Sequence, residues 1–191
     1  MPASGGTIDW LLVGLGNPGR QYERTRHNLG FGIAERLASR WNLPAPRSRY
    51  RGLLREGRLG PGEPRVALLL PQTYMNEAGD SVGPARGAFK VPLERVLVLH
   101  DEIDLPFGEI RVRLGGGLAG HNGLKSLRGS LGSPDFWRVR AGVGRPDTTD
   151  PDRVAAYVLG RFAEPRAEVE ELVEHAADAA ERLIRESTEA T

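Results

Sequence analysis

A chain of 191 residues is most simply one domain, long enough to bury a core without covalent staples. The absence of cysteine excludes disulfides, thiolate catalysis and Cys-ligated zinc; no apolar run approaches a membrane span, and Met1–Gly6 lacks the regions of a signal peptide, so a cytoplasmic location is expected. The net charge of +1 is unevenly spread, with −5 over residues 151–191 and +6 over the first 150.

The first apolar run, Trp10-Leu11-Leu12-Val13, is short and glycine-bounded and reads as a buried strand. Gly14-Leu15-Gly16-Asn17-Pro18-Gly19 then forces a tight turn at its C-terminal end, where open α/β sheets bind ligands. A polar loop follows and delivers Thr25-Arg26-His27-Asn28. The turn contains a literal G-x-G-x-x-G. The dinucleotide fingerprint, however, needs a helix starting at its last glycine, and no apolar stripe appears between Gly19 and Phe31. Helical spacing of Ala34, Leu37, Ala38 and Trp41 predicts the first helix, with Asn28 available as its cap and Pro44 and Pro46 beyond its end.

Tyr50–Glu56 and Arg65–Leu70 read as strands around the turn at Gly60-Pro61-Gly62, the second a buried run that Pro71 closes. Gln72 to Asn76 form a polar loop, and a helix is expected from Asn76 toward Lys90. Gly79-Asp80-Ser81-Val82-Gly83 matches the nucleophile elbow G-x-S-x-G, but that elbow must follow a strand directly and here does not. Val96–Leu99 is another buried strand, ending in His100-Asp101-Glu102-Ile103-Asp104. Arg111–Leu114 alternates charged and apolar residues, as a half-buried strand does.

A mobile glycine-rich segment, Gly115–Gly123, leads into a short helix, and Trp137–Val143 is the last strand. From Pro165 onward, Val169, Leu172, Val173, Ala176, Ala177, Ala180, Leu183 and Ile184 mark an amphipathic helix with acids crowding its first half. The alternation of elements predicts the α/β class. The expected architecture is a single-domain sandwich over residues 8–191, its twisted, mixed, largely parallel sheet flanked by helices, with residues 1–7 an N-terminal extension.

Three strand-end loops carry a similar kit: Asn17 with His27, Met75 with Asn76, and His100-Asp101 with His121-Asn122. Histidine supplies a base, a carboxylate orients it, and carboxamides pair with a peptide backbone without adding charge. The plainer readings are that Asn76 and Asn122 cap helices, that Asp101 caps a turn, and that His100 sits half-buried beside its strand. A metal set of His27, His100, His121 and Asp101 has no H-x-x-x-H or similar spacing behind it. Seven bases against two acids between Leu105 and Arg145 form a belt that suits a polyanion, although a solvated face is the commoner origin of such runs. Within it, Arg111 and Arg113 leave one strand face, and Arg138 and Arg140 repeat that spacing on another strand, two pairs able to grip phosphates.

Several motifs stand in order: Gly14-Leu15-Gly16-Asn17-Pro18-Gly19, Tyr22-x-x-Thr25-Arg26-His27-Asn28-x-Gly30, and Pro71-x-Thr73-Tyr74-Met75-Asn76. They continue in His100-Asp101-Glu102-Ile103-Asp104-Leu105-Pro106 and Gly120-His121-Asn122-Gly123-Leu124-Lys125. Together they resemble bacterial peptidyl-tRNA hydrolase over roughly residues 8–160. The resemblance implies a cytoplasmic, monomeric esterase with no metal or other cofactor and an α/β sandwich around a mixed sheet. It implies cleavage of the ester between a peptide and the terminal adenosine of tRNA, recycling tRNA from aborted translation. By matching position, His27 is the base, Asp101 its partner and Asn17 a positioning residue. Asn76 and Asn122 contact the peptide or the intermediate, Tyr22 and Met75 shape the cleft, and His121 lies beside the substrate channel. Arg111, Arg113, Lys125 and Arg140 fall where the family meets tRNA phosphates. Leu118-Ala119 departs from the more polar or smaller residues of many members. A non-catalytic RNA-binding relative would have lost His27, Asp101 or the asparagines; a general esterase of small substrates is told apart by whether N-blocked aminoacyl-tRNA is cleaved while free aminoacyl-tRNA and simple esters are spared.

Overall fold

The structure is a computed structural model that describes residues 6–189. The expected N-terminal extension lies outside these except for Gly6 and Thr7, which are exposed.

Trp10–Gly14 (β1) is buried along its whole length. A strand that is apolar on both faces is stable only between two layers, and β1 is the middle of such a stack. Six further strands complete the sheet: Arg47–Arg49 (β2), Gly52–Arg58 (β3), Arg65–Pro71 (β4), Val96–Glu102 (β5), Ile110–Leu114 (β6) and Trp137–Gly142 (β7). The order is β2-β3-β4-β1-β5-β7-β6. The four central strands run parallel, while β2–β3, β3–β4 and β6–β7 pair antiparallel.

Trp10 and Leu12 face a core shared with Leu29–Arg40 (α1) and Arg166–Glu189 (α5). Leu11 and Val13 face the opposite core, closed by Gly79–Phe89 (α2) and Asn122–Leu131 (α3). A fifth helix, Pro151–Val158 (α4), contributes no buried residue to either core. The start of α1 lies so close to the sheet that a Cβ at Gly30 would sit 2.3 Å from the Leu99 carbonyl oxygen and 2.5 Å from that of Leu15. That contact seats the turn carrying His27 directly on the ends of β1 and β5.

Two expectations change. Arg111–Leu114 is the outer edge of the sheet rather than half-buried, with Leu114 47% exposed, because β7 pairs it on one side only. The stretch between β7 and α5, to which the residue pattern assigns no element, contains α4.

Candidate active site

Because β1, β4 and β5 are parallel, their C-terminal ends share one edge of the sheet. The loop after β1 carries Asn17, a 3₁₀ turn after β4 carries Met75 and Asn76, and β5 itself ends in His100-Asp101-Glu102. A second 3₁₀ turn, Arg26–Asn28, lowers His27 onto this edge. All of these except His100 border a cleft of about 660 Å³.

At its floor the buried Asp101 carboxylate joins two imidazoles. Oδ2 meets His27 Nδ1 at 2.9 Å and Oδ1 meets His121 Nε2 at 2.9 Å. The tautomers follow from the remaining bonds. His121 caps α3, its Nδ1 accepting from the backbone N–H groups of Gly123 at 3.1 Å and Leu124 at 3.4 Å, so its proton sits on Nε2 and is donated to Asp101. His27 likewise donates from Nδ1, which leaves Nε2 unprotonated on a ring that lines the cleft. Burial works to lower the His27 pKa, but the adjacent Asp101 charge and hydrogen bond outweigh it and hold it above the ordinary value. Burial works to raise the Asp101 pKa, and the two imidazoles more than reverse that, holding it well below the usual carboxylate range.

His100 is a different kind of group. It is buried rather than half-buried, donates Nδ1–H to the Asp101 backbone oxygen at 2.7 Å, and stacks edge-on against His121. Burial, then the neighbouring His121, drives its pKa down to about 3, so it stays neutral and takes no part in proton transfer near neutrality.

Asn17 is fixed at both ends. Its backbone N–H donates to Asn28 Oδ1 at 2.8 Å, and Asn28 Nδ2 donates back to the Asn17 carbonyl at 2.9 Å. Asn28 is therefore no cap for α1; the reciprocal pair closes the glycine turn instead. The Asn17 side-chain oxygen accepts the Met75 N–H at 2.7 Å, which commits its Nδ2 to donating into the cleft.

Asn76 and Asn122 are exposed on the cleft wall with Lys125, and neither caps a helix through its side chain. Met75 is buried beneath them. Tyr22 is the exception: half-buried in the turn Arg20–Tyr22, it does not line the cleft, and the exposed Tyr74 takes the wall instead. Residue pattern also passes over the opposite wall, made by Ile103 with Val154, Val158 and Leu159 of the α4 region. Its readable signal is Asp150-Pro151, a cap followed by a proline at the first helical position.

His27, Asp101 and His121 are also the one group among the described residues whose atoms could face a metal ion, all within 4.8 Å. Their chemistry does not fit one. Both nitrogens toward Asp101 carry protons, and the other His121 nitrogen is held by the start of α3.

The arginines lie beyond the cleft on the α2/α3 side of the sheet. Arg111 pairs across the strands with Arg140, and Arg113 with Arg138, so all four share a face as the alternation predicts. They are not equivalent. Arg111 and Arg113 are exposed, while Arg140 is half-buried with Nε bonded to Glu102 at 2.9 Å. Arg138 is buried and clamps the Gly117 and Pro134 carbonyls at 2.6 and 2.7 Å. It holds the glycine-rich loop and presents nothing to a phosphate, which corrects the two-pair reading.

A family model described as peptidyl-tRNA hydrolase matches residues 11–191. A peptidyl-tRNA hydrolase of Geobacillus kaustophilus is 46% identical, covering 92% of this chain and 92% of its own length. One from Streptomyces avermitilis is 47% identical, over 94% and 90% respectively. The crystal structure of peptidyl-tRNA hydrolase from Acinetobacter baumannii superposes with a TM-score of 0.84 at 35% identity, covering 97% of this chain and 94% of that one.

Proposed function

Since the chain belongs to the peptidyl-tRNA hydrolase family and so hydrolyses the ester between peptide and tRNA, we propose that His27 is the base that activates the attacking water. The observation that carries this is the Asp101 carboxylate bonded to His27 Nδ1, which fixes the ring with its free Nε2 at the cleft. Water gives a proton to Nε2 as its oxygen bonds to the ester carbon. The bond from that carbon to the ribose oxygen then breaks, and the imidazolium returns the proton to the departing alkoxide. Asp101 stabilises the transient imidazolium, and base assistance of this kind contributes ~10²–10⁴-fold.

Asn17 Nδ2 is the donor for the developing oxyanion, because its oxygen is occupied by Met75 and the amide cannot turn. Asn76 and Asn122 hold peptide carbonyl and N–H groups, with Met75 and His121 shaping the floor. Arg111, Arg113 and Lys125 meet tRNA phosphates, with Arg140 held toward the same surface by Glu102. No role is assigned to Tyr22. Every group the chemistry uses comes from one chain, which supports action as a monomer. Its substrate arises in translation, which supports a cytoplasmic setting. Among the described residues no helix is long and apolar enough to cross a membrane.

The test is substrate discrimination. Purified protein should release tRNA from N-acetyl-aminoacyl-tRNA while sparing free aminoacyl-tRNA and simple carboxylic esters. Equal cleavage of a simple ester would replace this reading with a general esterase.

A further inference from the structure

Arg26, immediately before the proposed base, is buried, although among the described residues its guanidinium meets no carboxylate. Its long-range partners are Tyr157 in the last turn of α4 and Gly160 and Phe162 just beyond it. Its backbone N–H donates to the Gly160 carbonyl at 3.0 Å, and Nη1 donates to the Tyr157 carbonyl at 2.8 Å. The guanidinium lies 3.8 Å from the centre of the Tyr157 ring and 6.0 Å from that of Phe162. A cation among the last carbonyls of a helix is favoured by the macrodipole, and stacking on an aromatic face adds to it. The Arg26–Gly160 backbone bond belongs to an antiparallel bridge between Thr25 and Arg161, so the two segments are also joined through their main chains.

The helix held in this way has little else to hold it. None of its residues is buried, and Tyr157 tethers it a second time, its hydroxyl donating to the Val143 carbonyl at 2.6 Å. Val154 and Val158 nevertheless form the apolar wall of the cleft that His27 lines. A wall without a core of its own takes its position from its tethers, and one of these starts one residue from the base.

We infer that Arg26 is a positioning residue that sets α4 against His27 and thereby fixes how firmly the peptide half of the substrate is held. This rests on the hydrolase reading above and adds to it a residue that touches neither substrate nor base. The consequence is a split between kcat and KM. A loosened wall weakens grip on a peptide long enough to reach α4, while His27, Asp101 and Asn17 keep their own bonds.

The experiment compares N-acetyl-aminoacyl-tRNA with a tRNA carrying a peptide of five apolar residues, on the parent, Arg26→Ala, Arg26→Lys and Tyr157→Phe. Arg26→Ala should raise KM about 10-fold for the longer substrate, a loss of the size expected for one hydrogen bond to a charged group, and less than ~3-fold for the shorter. Its kcat should stay within ~3-fold, and Arg26→Lys should recover part of the KM. Tyr157→Phe, which keeps the stacked ring and loses only the Val143 tether, should move KM the same way by about 3-fold and serves if Arg26→Ala does not fold. An unchanged ratio of the two KM values in folded Arg26→Ala, or in Tyr157→Phe where that variant stands in for it, with kcat for both substrates falling together, would overturn the inference. That result would leave the hydrolase reading intact, since that reading fails on different evidence: loss of substrate discrimination in the parent.

Discussion

The Met75 backbone N–H donates to Asn17 Oδ1 at 2.7 Å across 58 residues of chain, and this one bond decides which end of the Asn17 amide faces the cleft. Substituting aspartate separates the two ends. Asn17→Asp keeps an acceptor for Met75 and loses the Nδ2 donor, placing negative charge where the oxyanion develops. We expect kcat to fall ~10²–10³-fold with little change in Tm. Steady-state kinetics beside a thermal melt checks this, and a folded variant with near-parental kcat removes Asn17 from transition-state stabilisation.

Asp101 gives a prediction with a definite sign in pH. The active form has neutral His27, so activity falls as pH drops through the His27 pKa. That pKa stands above its ordinary value only because Asp101 outweighs burial. Asp101→Asn removes the charge and leaves the burial, so the acid limb of kcat/KM should move to lower pH while the plateau falls by at least ~10-fold. An acid limb unmoved, or moved to higher pH, contradicts the assigned pairing.

The fold under the site can be tested at two glycines of α1. A Cβ at Gly30 meets backbone atoms of Leu99 and Leu15 within 2.6 Å, whereas at Gly32 it meets only a Val173 methyl at 3.9 Å. Gly30→Ala should therefore destabilise by about 3 kcal/mol or more, since backbone cannot move aside. Gly32→Ala should stabilise by up to ~1 kcal/mol through helix propensity. Urea unfolding of both variants decides, and equal midpoints would mean that α1 does not dock as described.

The basic face should divide by burial. Arg113→Ala should reduce the slope of log K against log salt for tRNA by ~0.7–0.9 for each phosphate that Arg113 neutralises. Arg138→Ala, which frees the Gly117 and Pro134 carbonyls, should instead lower stability by about 3 kcal/mol through removal of its buried hydrogen bonds. Salt-dependent binding and melting of both variants test the division. Equal slopes for Arg113→Ala and the parent would leave the exposed arginines as a solvated face.

The difference between Arg113 and Arg138 also marks how far the sequence can be read. Alternation puts all four arginines on one face, and the register of β6 on β7 agrees. Their burial depends on a loop folding over Arg138, which no local pattern encodes. The central strands are legible because residues such as Trp10–Val13 are apolar on both sides. α4 is not, because its eight residues are too few to establish a helical period and none of them is buried in a core. At the site, His27, Asp101 and Asn17 stand out as chemistry at strand ends. The second partner of Asp101 does not, since His121 reads as a cleft residue until α3 is seen to start on its ring. Asn28 reads as a helix cap because its partner, Asn17, lies across a turn whose closure no local pattern reveals.

The central claim is that His27 removes a proton from water and does not hold the substrate. Single-turnover hydrolysis of N-acetyl-aminoacyl-tRNA by His27→Ala, set beside equilibrium binding of the same tRNA, tests it most directly. The rate should fall by at least ~10²-fold while the dissociation constant stays within about 2-fold of the parent's. A folded variant that keeps most of its turnover, or one whose slower turnover follows entirely from weaker binding, would contradict the assignment of His27 as the base.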